Sequence, residues 1–238
     1  MSFTTDSIAE QLRSVRERIR QAALRAGRNP EEVTLIAVSK TKPAEMIQEA
    51  YGCGQRVFGE NRVQELTEKL TALPQDISWQ LIGHLQTNKV RQIVGKAALI
   101  HSVDSIRLAE ELQRESEKKG VVTELLLEVN IAGEESKFGL RPEDLESAAV
   151  RIAQMPSLKL RGLMTVAPFT AIPEENRKYF RQIRQLAVDI KDKNIDNVTM
   201  DILSMGMTGD FEVAVEEGAT MVRVGTGIFG GRDYPARG

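Results

Sequence analysis

The sequence predicts an α/β fold of one domain spanning residues 1–238, a single (β/α)8 TIM barrel with an extra helix in front. Three observations predict it. Short apolar, β-branched runs alternate about eight times with segments of helical spacing. The chain has 238 residues, close to the usual size of such a barrel. No composition break and no linker rich in Pro, Gly or Ser divides it. A doubly wound open sheet is the competing arrangement, and the lack of Gly-x-Gly-x-x-Gly after the first strand weakens its dinucleotide-binding form.

The elements follow in order. The extra helix runs from about 6 to 26: Thr5 or Asp6 is its N-cap, and Ile8, Leu12, Val15, Ile19 and Ala23 form one stripe. Gly27 and Pro30 supply the stop. Its stripe is normal for a helix docked on its own domain, so packing within the chain is expected over joining a second chain. Strands are predicted at 33–38, 56–58, 79–82, 99–102, 125–129, 160–164, 198–203 and 221–224. Between them the helical segments are 43–52, 62–70, 89–94, 105–119, 142–154, 173–194 and 210–217.

Composition narrows the function classes. Lys plus Arg is 32 and Asp plus Glu is 34, so a net charge of −2 gives no electrostatic footprint for nucleic acid or an anionic membrane. The single Cys53 cannot form an internal disulfide, and with two histidines no zinc cluster can assemble, so no metal site is expected. No basic leader and no apolar run of membrane-spanning length is present, and the expected location is the cytoplasm.

In such a barrel the C-terminal strand ends carry the chemistry. Nearly every predicted exit ends in polar or small residues, among them Ser39-Lys40-Thr41-Lys42, Glu60-Asn61, His84, His101-Ser102 and Glu128-Val129-Asn130. Ser204, Gly206, Gly225, Thr226 and Gly227 collect at the seventh and eighth exits, where barrels often hold a phosphate on backbone N–H groups and hydroxyls. The same glycines also serve as plain turns, so both readings stand. Lys40 emerges from the buried-looking run Leu35-Ile36-Ala37-Val38; a lysine desolvated there becomes a neutral amine, which Schiff-base chemistry requires. Lys42 has the same strand parity, although Pro43 assigns it to the helix entry. Arg223, near the end of an apolar strand, must meet either a carboxylate within the barrel or a ligand.

These residues stand in motifs that resemble the pyridoxal-phosphate-binding homeostasis proteins, whose barrel is like the N-terminal domain of bacterial alanine racemases. The matching segments include Ala37-Val38-Ser39-Lys40-Thr41-Lys42, Phe58-Gly59-Glu60-Asn61-Arg62-Val63-Gln64-Glu65, Ile82-Gly83-His84-Leu85-Gln86-Thr87-Asn88-Lys89, Leu203-Ser204-Met205-Gly206-Met207 and Met221-Val222-Arg223-Val224-Gly225-Thr226. The resemblance implies a fold-type III barrel in which Lys40 forms an internal aldimine with pyridoxal 5'-phosphate. It implies that Ser204 and the backbone of Gly225 and Thr226 hold the phosphate, and that Arg223 faces the pyridine nitrogen. Asn61, His84 and Met205 would line the pocket. It further implies a non-catalytic carrier that takes part in cofactor supply and amino-acid and keto-acid balance, with cofactor-requiring apoenzymes as recipients. The racemase's opposing tyrosine comes from a separate C-terminal domain, and none of Tyr51, Tyr179 and Tyr234 stands at a recognisable second-base position. A monomer and no substantial racemase, aminotransferase or decarboxylase turnover are therefore expected. The competing functions are a weak racemase, a Schiff-base aldolase using Lys40 without cofactor, and a scaffold that only binds partners.

Overall fold

The computed structural model describes residues 7–231. Eight parallel strands close into a barrel in sequence order: β1 (Thr34–Val38), β2 (Val57–Glu60), β3 (Ser78–Leu81), β4 (Leu99–Val103), β5 (Thr123–Val129), β6 (Leu158–Thr165), β7 (Val198–Met207) and β8 (Met221–Val224). The closing pair β1–β8 sets Ile36 beside Arg223 and Ala37 beside Val224. Helices follow each strand: α2 (Ala44–Gly52), α3 (Val63–Ala72), α4 (Val90–Ile93), α5 (Ile106–Lys119), α6 (Leu145–Ala153), α7 (Arg177–Lys191), α8 (Phe211–Glu216) and α9 (Thr226–Phe229). The predicted starts of α6 and α7 are instead 3-10 turns at Pro142–Asp144 and Pro173–Asn176, because proline at the first position suits a tight turn that opens a helix.

Two apolar layers hold the barrel. The larger lies between strands and helices; the smaller fills the interior with Leu99, Leu126 and Met164, packed by Ile202 and Met221.

The extra helix is α1 (Ile8–Arg25). Its N-cap is Ser7, whose hydroxyl accepts from the Glu10 N–H while the Glu10 carboxylate accepts from the Ser7 N–H; the expected caps Thr5 and Asp6 lie outside the described residues. The stripe Ile8, Leu12, Val15, Ile19 and Ala23 is buried in full, against α2, α8 and α9. Since α9 has a single turn, α1 completes the outer cover where the last helix falls short.

β7 departs most from expectation: it continues past Leu203 to Met207. Gly206 makes the extension possible. Its φ is +91°, and a Cβ there would sit 2.6 Å from the Ala214 Cβ and 2.9 Å from the Phe211 Cα. The strand therefore leans directly on α8, and the β7–β8 register shifts between Ser204 and Met207.

Candidate functional site

Lys40 stands two residues beyond β1, half-buried, at the second position of a turn closed by the Lys42 N–H donating to the Ser39 carbonyl at 3.0 Å. Thr41, the third residue, has φ +63°, where a β-branched side chain is strained. The Lys42 ammonium donates to the carbonyls of Phe229 at 2.9 Å, Gly230 at 3.3 Å and Gly231 at 2.9 Å, capping the C-terminal end of α9.

The register brings the β1 and β8 exits side by side, with the Gly225 Cα so close to β1 that a Cβ would lie 3.3 Å from the Val38 carbonyl oxygen. Beneath this junction a polar relay crosses the barrel. The Arg223 guanidinium donates to the Ser204 hydroxyl at 2.6 Å and the Thr165 carbonyl at 2.8 Å. Ser204 Oγ is 2.9 Å from His101 Nδ1, and His101 Nε2 is 3.0 Å from Gln80 Oε1. Because a carbonyl oxygen only accepts, Nε2 carries the ring proton and Nδ1 accepts from the serine. Burial, with Arg223 adding to it, holds the His101 pKa well below its ordinary value, in accord with that neutral ring.

In the structure Ser204 belongs to this relay. The residue is fully buried, and its hydroxyl is spent on Arg223 and His101. The hydroxyl that reaches the glycine turn is Thr208, which accepts from the Gly227 N–H at 3.4 Å. A Cβ on Gly227 would press within 3.2 Å of the Thr208 methyl.

Both hydrogen bonds of Arg223 go to uncharged oxygens. Burial lowers its pKa to about 10, with Glu128 and Asp210 opposing from a distance, so it remains a cation at neutral pH.

Of the other expected residues, Asn61 follows β2 at the level of Lys40, since Val38 pairs with Gly59. The β3 exit folds against it: a Cβ on Gly83 would meet the Asn61 carbonyl oxygen at 2.4 Å. His84 is exposed at the rim, where Nδ1 meets Asp104 Oδ2 at 3.0 Å and the ring stacks on Phe138 at 3.7 Å. Met205 is wholly buried in the layer between strands and helices, because strand alternation turns it outward when Ser204 points inward. Among the tyrosines, Tyr51 donates its hydroxyl to Asp76 at 2.7 Å and Tyr179 lies on α7 against Lys178; Tyr234 is outside the described residues.

One exit residue proves buried and perturbed, and two helix residues escape a reading of strand exits. Glu128, on β5, pairs in register with Met164 of the interior cluster and has an Oε2 that is sealed without a partner. Burial and nearby Asp104 raise its pKa to about 7, against the pull of Arg223. Lys69 and Glu65 on α3 bond to the backbone around Lys40; their spacing of four on an amphipathic helix reads as an ordinary surface pair.

The family model for the alanine racemase N-terminal domain matches residues 11–233. The chain belongs to that family. Relatives of this alanine racemase N-terminal domain chain include the pyridoxal phosphate homeostasis protein of Aquifex aeolicus strain VF5, 48% identical over 226 residues, covering 94% of this chain and 98% of that protein. The pyridoxal phosphate homeostasis protein of Escherichia coli K12 is 42% identical over 236 residues, covering 96% and 98%. PipY of Synechococcus elongatus PCC7942, solved with PLP bound, is 41% identical with a TM-score of 0.81, covering 94% of this chain and 100% of PipY. An alanine racemase of Clostridium difficile 630 shares the fold at 13% identity and a TM-score of 0.71; this chain spans 58% of its length.

Proposed function

We propose that the protein holds pyridoxal 5'-phosphate covalently and reversibly through Lys40, as a carrier in cofactor homeostasis without substantial turnover. The observation that carries this reading is Arg223, a buried cation with uncharged partners beneath the mouth of the barrel. Such a site suits an electron-rich acceptor such as a pyridine nitrogen. When bound, the cofactor would supply an aldehyde, and Lys40 would be the amine positioned to hold it as a Schiff base.

The chain's own residues supply the rest. Lys40 and the Gly225–Thr226 turn share the β1–β8 junction, and Thr208 brings its hydroxyl to the same turn. Thr208, with the backbone of Gly225 and Thr226, is the phosphate cradle. Asn61 flanks Lys40, and His84 with Asp104 forms the rim. Arg223 stays charged and so disfavours protonation of a ring nitrogen, which weakens the electron sink that racemase and aminotransferase chemistry need. Relatives named as pyridoxal phosphate homeostasis proteins and the PLP-bound PipY support this reading over an aldolase without cofactor. The carrier acts as a cytoplasmic monomer that passes the cofactor to apoenzymes. A monomer is favoured because α1 spends its apolar stripe within the chain.

The test is a visible spectrum of the purified protein with added pyridoxal phosphate, before and after borohydride, followed by peptide mass analysis. A band lost on reduction, with a pyridoxyl mass on Lys40, is expected. A protein that takes up no cofactor, or carries the label elsewhere, sinks the reading.

A further inference from the structure

The turn that carries Lys40 is strained, and one side-chain pair grips it from both sides. The Lys69 ammonium, almost fully buried, makes three bonds: to the Ser39 carbonyl at 2.8 Å, to Glu60 Oε1 at 2.7 Å and to Glu65 Oε1 at 2.7 Å. The same Glu65 oxygen accepts from the Thr41 N–H at 2.5 Å. The peptide unit before Lys40 and the one after it are thus tied to a single ion pair on α3. Glu60 completes the grip, accepting from the Ser39 hydroxyl at 2.6 Å.

We propose that Lys69 and Glu65 are positioning residues that lock the Lys40 turn, so that its amine is presented to a carbonyl carbon in one geometry. The inference rests on the reading that Lys40 is the attachment residue. A non-glycine residue at positive φ persists only where its surroundings over-determine it, and Thr41 is over-determined here by the Glu65 contact and the turn closure at Ser39. A plain fold-stabilising pair would need no bond to the backbone on either side of one reactive lysine. All three ammonium donors are used, a geometry that a planar guanidinium does not reproduce.

Two readouts test this. In cofactor-free protein, the Thr41 amide should exchange with solvent slowly, and Glu65→Ala should speed it by about tenfold or more. With pyridoxal phosphate added, Glu65→Ala and Lys69→Met should slow the appearance of the Lys40 adduct by about tenfold or more. Affinity for inorganic phosphate, measured separately, should stay within about twofold, because the β7–β8 cradle is elsewhere; general unfolding would lose both. Glu65→Gln keeps an acceptor for the Thr41 N–H and should restore the rate to within about threefold. If Lys69→Met does not fold, the Glu65 variants and the wild-type Thr41 amide decide. A Thr41 amide that exchanges like an exposed turn, or a folded Glu65→Ala that attaches cofactor at the wild-type rate, overturns the proposal. A wild-type protein with a protected Thr41 amide and no adduct at Lys40 instead overturns the carrier reading on which it stands.

Discussion

Glu128 shows how one side chain sets a pH dependence for the whole fold. Its Oε2 is sealed without a hydrogen-bond partner, Asp104 adds a like charge, and distant Arg223 only partly offsets them. The unfolded carboxyl releases its proton near its ordinary 4.5, whereas the folded one holds it to about 7. Between those values the native state binds the extra proton, so stability falls as pH rises, and the loss is complete above the folded pKa. Its size is on the order of 3 kcal/mol. Glu128→Gln removes the charge and should raise the melting temperature at pH 8, with little change at pH 4.5. Thermal melts of both proteins across this range check it; equal shifts at both ends would mean that packing, and not titration, governs the site.

At the scale of elements, β7 separates two hydroxyls that a sequence places four positions apart. Ser204 lies inside the strand, beneath the mouth, and serves Arg223 and His101; Thr208 lies just past the strand end, beside Gly227. Ser204→Ala should therefore cost about 1–3 kcal/mol of stability, since it leaves the buried Arg223 donor without its acceptor and His101 Nδ1 without its donor, while phosphate affinity stays within about twofold. Thr208→Val should do the reverse, holding the melting temperature and weakening phosphate binding about tenfold or more. Calorimetric titration with inorganic phosphate beside a melt of each variant distinguishes the two, and the opposite pairing would return Ser204 to the cradle. β7 also shows what was legible in the residues. All eight strands announce themselves by short runs rich in apolar residues, and Lys40 and Arg223 stand out as charges at the end of such a run. Ser204-Met205-Gly206-Met207 hides its strand, because a polar residue in the barrel interior and a glycine at positive φ both look like a loop. Strand alternation was the available signal: carried through from Ile202, it turns Ser204 inward and Met205 outward. The grip of Lys69 and Glu65 on the Lys40 turn left no such signal, since it joins α3 to the β1 exit across 24 to 30 residues of chain.

For the molecule as a whole, the question is what holds α1 to the barrel. Two kinds of contact compete. Arg18 and Arg25 reach Glu212 and Glu216 on α8, at 2.7 to 3.2 Å, but these arginine side chains are about half exposed. Such pairs contribute about 0–1 kcal/mol each and weaken with salt. Ile8, Leu12, Val15 and Ile19 are all buried, and each fully buried aliphatic side chain contributes roughly 1.5–3 kcal/mol. Together they reach about 6–12 kcal/mol, comparable with the roughly 5–15 kcal/mol by which a whole domain is stable. The apolar stripe decides the docking. It also reaches the proposed site, because α1 packs on α9, the single turn that opens at Gly225 and Thr226. Leu12, with no exposed surface, is the sharpest probe. Leu12→Ala should cost about 2–5 kcal/mol and weaken phosphate binding in step, as α9 loses its backing. Glu212→Gln should change stability by no more than about 1 kcal/mol. Urea melts of the two variants at low and high salt make the comparison: a salt-sensitive loss at Glu212 as large as the loss at Leu12 would show that charge, not burial, seats the helix.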